Sequence, residues 1–147
     1  VMWEQYFDIT SSGVLSCGYA IEGVYTNHPS FDSREATLLS SPQYAPLLHS
    51  RMIYMPEFRA NRYLGIGLMP TVRIIDNLYA RVSVYAMLRD KFAGEYVHYM
   101  SDLSVIYHTP IGPVSLALTK YDFDSSKNLY LTFNFGYAIF GRKGLFF

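Results

Sequence analysis

Apolar and polar residues alternate with a period of two along most of this chain, the pattern of extended strands with two unlike faces. Trp3, Gln5, Phe7 and Ile9 alternate with Glu4, Tyr6, Asp8 and Thr10 before Ser11-Ser12-Gly13 turns the chain. Leu15, Cys17, Tyr19, Ile21 and Tyr25 then oppose Ser16, Gly18, Ala20, Glu22 and Thr26. The alternation returns at Arg62, Leu64, Ile66, Leu68, Val72 and Ile74, opposite Tyr63, Gly65, Gly67, Thr71 and Arg73. Asp76-Asn77 is a two-residue hairpin signal. Leu78 to Leu88, Val97 to Tyr107 and Val114 to Leu118 continue the pattern, and Leu129 to Ile139 carries its longest apolar stripe. These runs predict an all-β antiparallel meander of about seven long strands, at residues 2–10, 14–27, 60–75, 78–88, 96–109, 114–121 and 129–140. Pro70 marks a weak point in the third, because proline cannot donate to a ladder.

Between the second and third strands, residues 28–59 keep no period and carry Pro29, Pro42, Pro46 and Pro56, so they form one long loop. Tight turns at 11–13, 76–77 and 110–113 alternate with longer loops at 28–59, 89–95 and 122–128. Outer-membrane barrels show this asymmetry, with short periplasmic turns and longer extracellular loops. A periplasmic C-terminus would place the long loop outside the cell.

Composition sharpens the choice between a lipid-facing and a water-facing sheet. The 147 residues are 50% hydrophobic and 17% aromatic but only 16% charged, well short of the roughly 25% usual in soluble domains. The polar faces carry Gly, Ser, Thr, Ala and Tyr where a soluble sandwich would carry Lys and Glu, which suits a lumen. Twelve basic residues balance twelve acidic ones, so no field points to nucleic acid. A single cysteine, Cys17, excludes an internal disulfide, and no run reaches the ~18 apolar residues of a spanning helix. No signal peptide is recognisable after Val1, so the chain is expected to be a fragment or to have lost its start.

Several segments together resemble a known family. Ser40-Ser41-Pro42 to Pro46, His49-Ser50, Glu57 to Tyr63, Gly67-Leu68-Met69-Pro70 and Tyr107 to Leu116 look like the C-terminal barrel of outer-membrane patatin-like phospholipases, and the likeness covers nearly the whole chain. That barrel is similar to those of the BamA-type (bacterial surface antigen) outer-membrane superfamily. The resemblance implies that residues 1–147 are the C-terminal part of a transmembrane β-barrel in the outer membrane of a Gram-negative bacterium. Its function would be to anchor, and to serve as export or display pore for, an upstream patatin-like phospholipase domain. It also implies that the long loop folds back into the lumen carrying an arginine motif, here Phe58-Arg59-Ala60-Asn61. Ala60 and Asn61 stand where the family has a glycine and an aromatic residue. Arg59 would then need a carboxylate, for which inward parity offers Asp102 or Glu22, with Asp102 preferred. Asn134, Gly136, Ile139 and Phe140 resemble the C-terminal assembly signal, although the tail runs on to Phe147. The implied partners are membrane lipid, the outer-membrane barrel assembly machinery, and the remainder of the barrel or further copies of this chain.

Catalytic chemistry is not expected within these residues. No G-x-S-x-G nucleophile elbow occurs. His98, Asp102 and Ser104 share a strand face, but residues four apart on a strand lie roughly 13 Å apart, too far for a relay. The same spacing separates His98 from His108 too widely for a shared metal, and polar filling of the lumen explains them better. No cofactor is implied. Two other classes fit the alternation: a self-contained porin or adhesin barrel, and a soluble lipocalin-like ligand-binding barrel.

Overall fold

The structure, a computed structural model, describes residues 1–26, 39, 41–89, 97–122 and 129–136. It contains one antiparallel sheet of seven strands in sequence order: β1 (Met2–Asp8), β2 (Leu15–Tyr25), β3 (Arg62–Ile75), β4 (Leu78–Arg89), β5 (Val97–Thr109), β6 (Gly112–Tyr121) and β7 (Leu129–Phe135). The all-β meander read from the alternation is therefore the fold. The sheet stays open, with β1 and β7 as its edges among the described residues.

Departures from the expected boundaries have local causes. β6 begins at Gly112 because Thr109 pairs with Gly112 across a two-residue turn, Pro110-Ile111, where four residues were expected to turn. The Thr109 hydroxyl closes that turn by donating to the Gly112 carbonyl at 2.6 Å, and Gly112 takes a φ of 135° open chiefly to glycine. At the expected Asp76-Asn77 hairpin, Ile75 pairs with Leu78 and Asn77 sits at φ 74°. Pro70 lies inside β3 opposite Cys17, and pairing with β4 skips Met69 and Pro70. The register shift itself comes later, between Arg73 and Ile75.

The two faces of the sheet are inverted relative to a soluble domain. Register aligns Ile21, Ile66 and Ala86 in one outer row, and Leu103, Leu118 and Leu131 in another. These outer side chains are open: Leu68 is 57% exposed, Phe133 67% and Leu131 69%. The core lies on the opposite face, where Ala20, Tyr63, Met69, Tyr85, Met87, Met100 and Tyr121 are buried. It is completed by the long loop itself, through Tyr44, Leu47, Met55, Phe58 and Ala60.

Residues 41–61 have structure of their own, which the proline-rich sequence conceals. They include a short helix, α1 (Leu48–Met52), and a single 3-10 turn at Pro56–Phe58. Gln43 and Arg59 form an isolated bridge, with Tyr44 N–H donating to the Phe58 carbonyl at 2.8 Å and Ala60 N–H to the Pro42 carbonyl at 3.3 Å. The two ends of the segment thus close on each other. The Gln43 amide then donates to the Ser50 and Ile53 carbonyls at 2.7 and 3.0 Å, satisfying acceptors that the end of α1 leaves open.

Candidate functional site beneath the long loop

The docked loop meets the inner face through rings seated on backbone. Gly65 and Gly67 are on β3, and a β-carbon on either would overlap a ring, that of Tyr44 at Gly65 and of Tyr85 at Gly67. Gly18 on β2 stands in the same relation to Tyr6. Tyr44 is further held by Tyr63 and Tyr85, with ring centroids at 5.6 and 6.5 Å. Burial, and then the nearby Tyr85 and Glu22, push its phenol well above the ordinary range, so it remains a neutral hydroxyl.

Phe58, the first residue of the arginine-bearing motif, is 1% exposed and packs edge-on against His98 at 5.4 Å and Tyr121 at 5.8 Å. Arg59 does not reach the carboxylates expected for it among the bonds described. Its Nε donates to Gln43 Oε1 at 3.2 Å, its Nη1 to the Leu39 and Ser41 carbonyls at 2.8 and 3.1 Å, and its guanidinium lies over the Tyr54 ring at 4.8 Å. The reason is local: the Gln43–Arg59 bridge aims the side chain back along the loop. Glu22 accepts instead from the Tyr63 hydroxyl at 3.0 Å, and Asp102 from the Thr119 hydroxyl at 2.7 Å. Ala60 is buried, and Asn61 ties the loop to the end of β2: its carbonyl accepts from Thr26 N–H at 2.9 Å and its side chain from Ser41 at 2.8 Å.

One histidine sits beneath the loop and another on it. His98 Nδ1 lies 2.9 Å from Asp122 Oδ2, so the ring carries its proton on Nδ1 and donates to the carboxylate. Burial opposes ionisation of Asp122, but the hydrogen bonds from His98 and Tyr99 N–H outweigh it and hold the carboxyl below its ordinary range. His98 Nε2 is buried with no hydrogen-bond partner among the described residues. His49, on α1, meets the Tyr121 hydroxyl at 2.8 Å and stacks near Tyr130, with centroids 4.6 Å apart. Burial lowers its pKa, partly offset by Asp102, which favours the neutral ring.

This arrangement brings together residues that sequence separates and divides those that it groups. His98, Asp102 and Ser104 do not form a relay, since His98 turns away to Asp122, while Ser104 stays beside Asp102, which also accepts from the Thr119 hydroxyl. His108 is exposed and packs edge-on against Tyr79. Among the described residues no three His, Cys, Asp or Glu side chains gather as a metal site. Of the expected assembly signal, Asn134 pairs with Ser115 and Gly136 takes a φ of 83°, while Ile139 and Phe140 lie outside the described residues. The sequence assigned no role to Gln43, His49 or Asp122, although His49-Ser50 carries part of the resemblance. Only the first two lay in a segment already singled out, and nothing in their spacing marks them. Comparison with family models, with curated proteins and with solved structures finds no match.

Proposed function

We propose that this chain forms part of the wall of an outer-membrane β-barrel in a Gram-negative bacterium, with residues 41–61 plugging its lumen. One observation carries this reading: the apolar face of the sheet is uncovered while the core lies on the other face, beneath the chain's own loop. In water such a face is costly, since each large apolar side chain gains ~1.5–3 kcal/mol on leaving it. In a bilayer it is the surface that outer-membrane strands present to lipid, with polar residues turned inward. A lipocalin-like binder needs the reverse, an apolar interior and a polar exterior. The sequence resemblance extends the proposal to an anchor and export or display pore for a patatin-like phospholipase domain, inserted by the outer-membrane barrel assembly machinery.

The test is to express the natural gene and fractionate the cells. The protein should fractionate with the outer membrane and shift its gel mobility on boiling. Recovery in the aqueous fraction, folded and without detergent, would overturn the barrel reading. Recovery in the membrane with no lipase activity in the full-length protein would overturn only the phospholipase part.

A further inference from the structure

His98 presents an unused lone pair inside the core. Its Nδ1–H is committed to Asp122 at 2.9 Å, which leaves Nε2 as an acceptor. The side chain is 4% exposed, and Nε2 finds no hydrogen-bond partner among the described residues. A buried polar atom in that state is costly, and a ligand on Nε2 would remove the cost.

The residues beside it on the sheet carry sulfur. Met87 on β4 is the direct cross-strand partner of His98, and Met100 stands two residues farther along β5 on the same face. Direct partners have β-carbons roughly 4.5–5.5 Å apart, and alternate residues of one strand lie roughly 6.5 Å apart, so the three side chains rise from one small triangle of the sheet. Met87 and Met100 are both fully buried. The loop covers this triangle through Phe58, which lies against His98 at 5.4 Å and shares the buried cluster with both methionines. Met69 stands outside the set, because its sulfur accepts from the Tyr6 hydroxyl at 3.5 Å.

The chemistry of these donors decides which ligand fits. Thioethers are soft donors that select Cu(I), and imidazole suits copper as well. Calcium and magnesium need carboxylate, carbonyl or water oxygen, and structural zinc needs thiolates or several histidines. Charge leads to the same choice. Two thioethers and a neutral imidazole supply no negative charge, so a divalent ion would be buried with neither of its charges compensated by its ligands. A monovalent ion is balanced by Asp122, which sits behind the ring in the carboxylate–histidine arrangement that orients a ligating imidazole and raises its basicity.

The geometry points to a Cu(I)-binding site formed by His98 Nε2 and the sulfur atoms of Met87 and Met100, with Asp122 as the positioning residue behind the imidazole. The site needs only the sheet and its own loop, so it stands independently of the barrel and phospholipase readings.

The experiment uses the natural full-length protein, purified in detergent and kept anaerobic. It should take up Cu(I) against a competing chromophoric chelator, with a single equivalent that depends on this site. Met87→Leu with Met100→Leu, which conserves core volume, should abolish that equivalent. Asp122→Asn should weaken it roughly 10–100-fold, the usual effect of removing an outer partner of a ligating histidine. NMR of methyl-labelled methionine keeps the test independent of any variant that folds poorly. Added Ag(I), a redox-inert substitute for Cu(I), should shift the Met87 and Met100 methyl signals and leave that of the exposed Met52 in place. Undiminished uptake by the double variant, tighter binding of Zn(II) than of Cu(I), or Ag(I) shifts at Met52 with none at the buried pair would each overturn the assignment.

Discussion

The ring of Tyr44 lies against the backbone of Gly65, in the space that a β-carbon on residue 65 would occupy. The ring cannot swing aside freely, because Tyr63 and Tyr85 hold its other sides. Gly65→Ala should therefore destabilise the docked loop by about 1–3 kcal/mol, the usual cost of overpacking. In a Tyr44→Ala background the same change should cost far less, since contacting residues are not additive. Urea unfolding of the four variants measures this, and equal costs in both backgrounds would show that the ring does not seat there.

Arg59 acts as a clasp within the loop, using both Nε and Nη1 on neutral oxygen atoms. Arg59→Lys keeps the charge but cannot reproduce that fork. Both Arg59→Lys and Arg59→Ala should open residues 41–61 to limited proteolysis, with Asp102→Asn leaving the cleavage pattern unchanged. Protection restored by lysine would instead point to a simple charge requirement.

The His98–Asp122 contact gives the start of β5 and the end of β6 a dependence on acid. The folded pKa of Asp122 is depressed, so its stabilisation is complete above the unfolded carboxylate value near ~4 and is lost as pH falls through the folded value. Amide exchange at Tyr99, whose N–H donates to Asp122, should accelerate over that interval. Asp122→Asn, which still tolerates the φ of 35° found there, should remove this acid dependence.

Leu68 is 57% exposed on the outer face and near the middle of β3. Facing lipid, Leu68→Lys should cost ~2–4 kcal/mol, and Ile111→Lys in the turn near the interface only ~0–1 kcal/mol. Facing water, both would lie within about 0.5 kcal/mol of neutral. Unfolding from lipid vesicles distinguishes the two outcomes.

At the other edge, Gly136 holds a φ of 83° and its Cα would lie 3.3 Å from a β-carbon on Gly112. Gly136→Arg should strain that end by ~1–2 kcal/mol. Phe135→Asp would place a charge on the apolar face. Both variants should be depleted from the outer membrane fraction, and normal yield of both would remove β7 from the assembly step.

The strands themselves were legible in the sequence because side chains alternate across a sheet with a fixed period, so Leu64, Ile66 and Leu68 declare a face without any tertiary information. The same period identified the small-residue face, and Asp76-Asn77 declared its hairpin through the backbone conformation it allows. Alternation names two faces, however, and does not say which one the chain covers. That was decided by the loop, whose helix and 3-10 turn leave no periodic trace over so few residues and whose rings settle on Gly65 and against His98 across long sequence separations. The partner of Arg59 was misjudged for the same reason: parity along strands pointed to Asp102, while a single bridge between Gln43 and Arg59 redirected the side chain onto its own loop. Local periodicity fixes which residues share a surface, and only long-range packing chooses what lies against it.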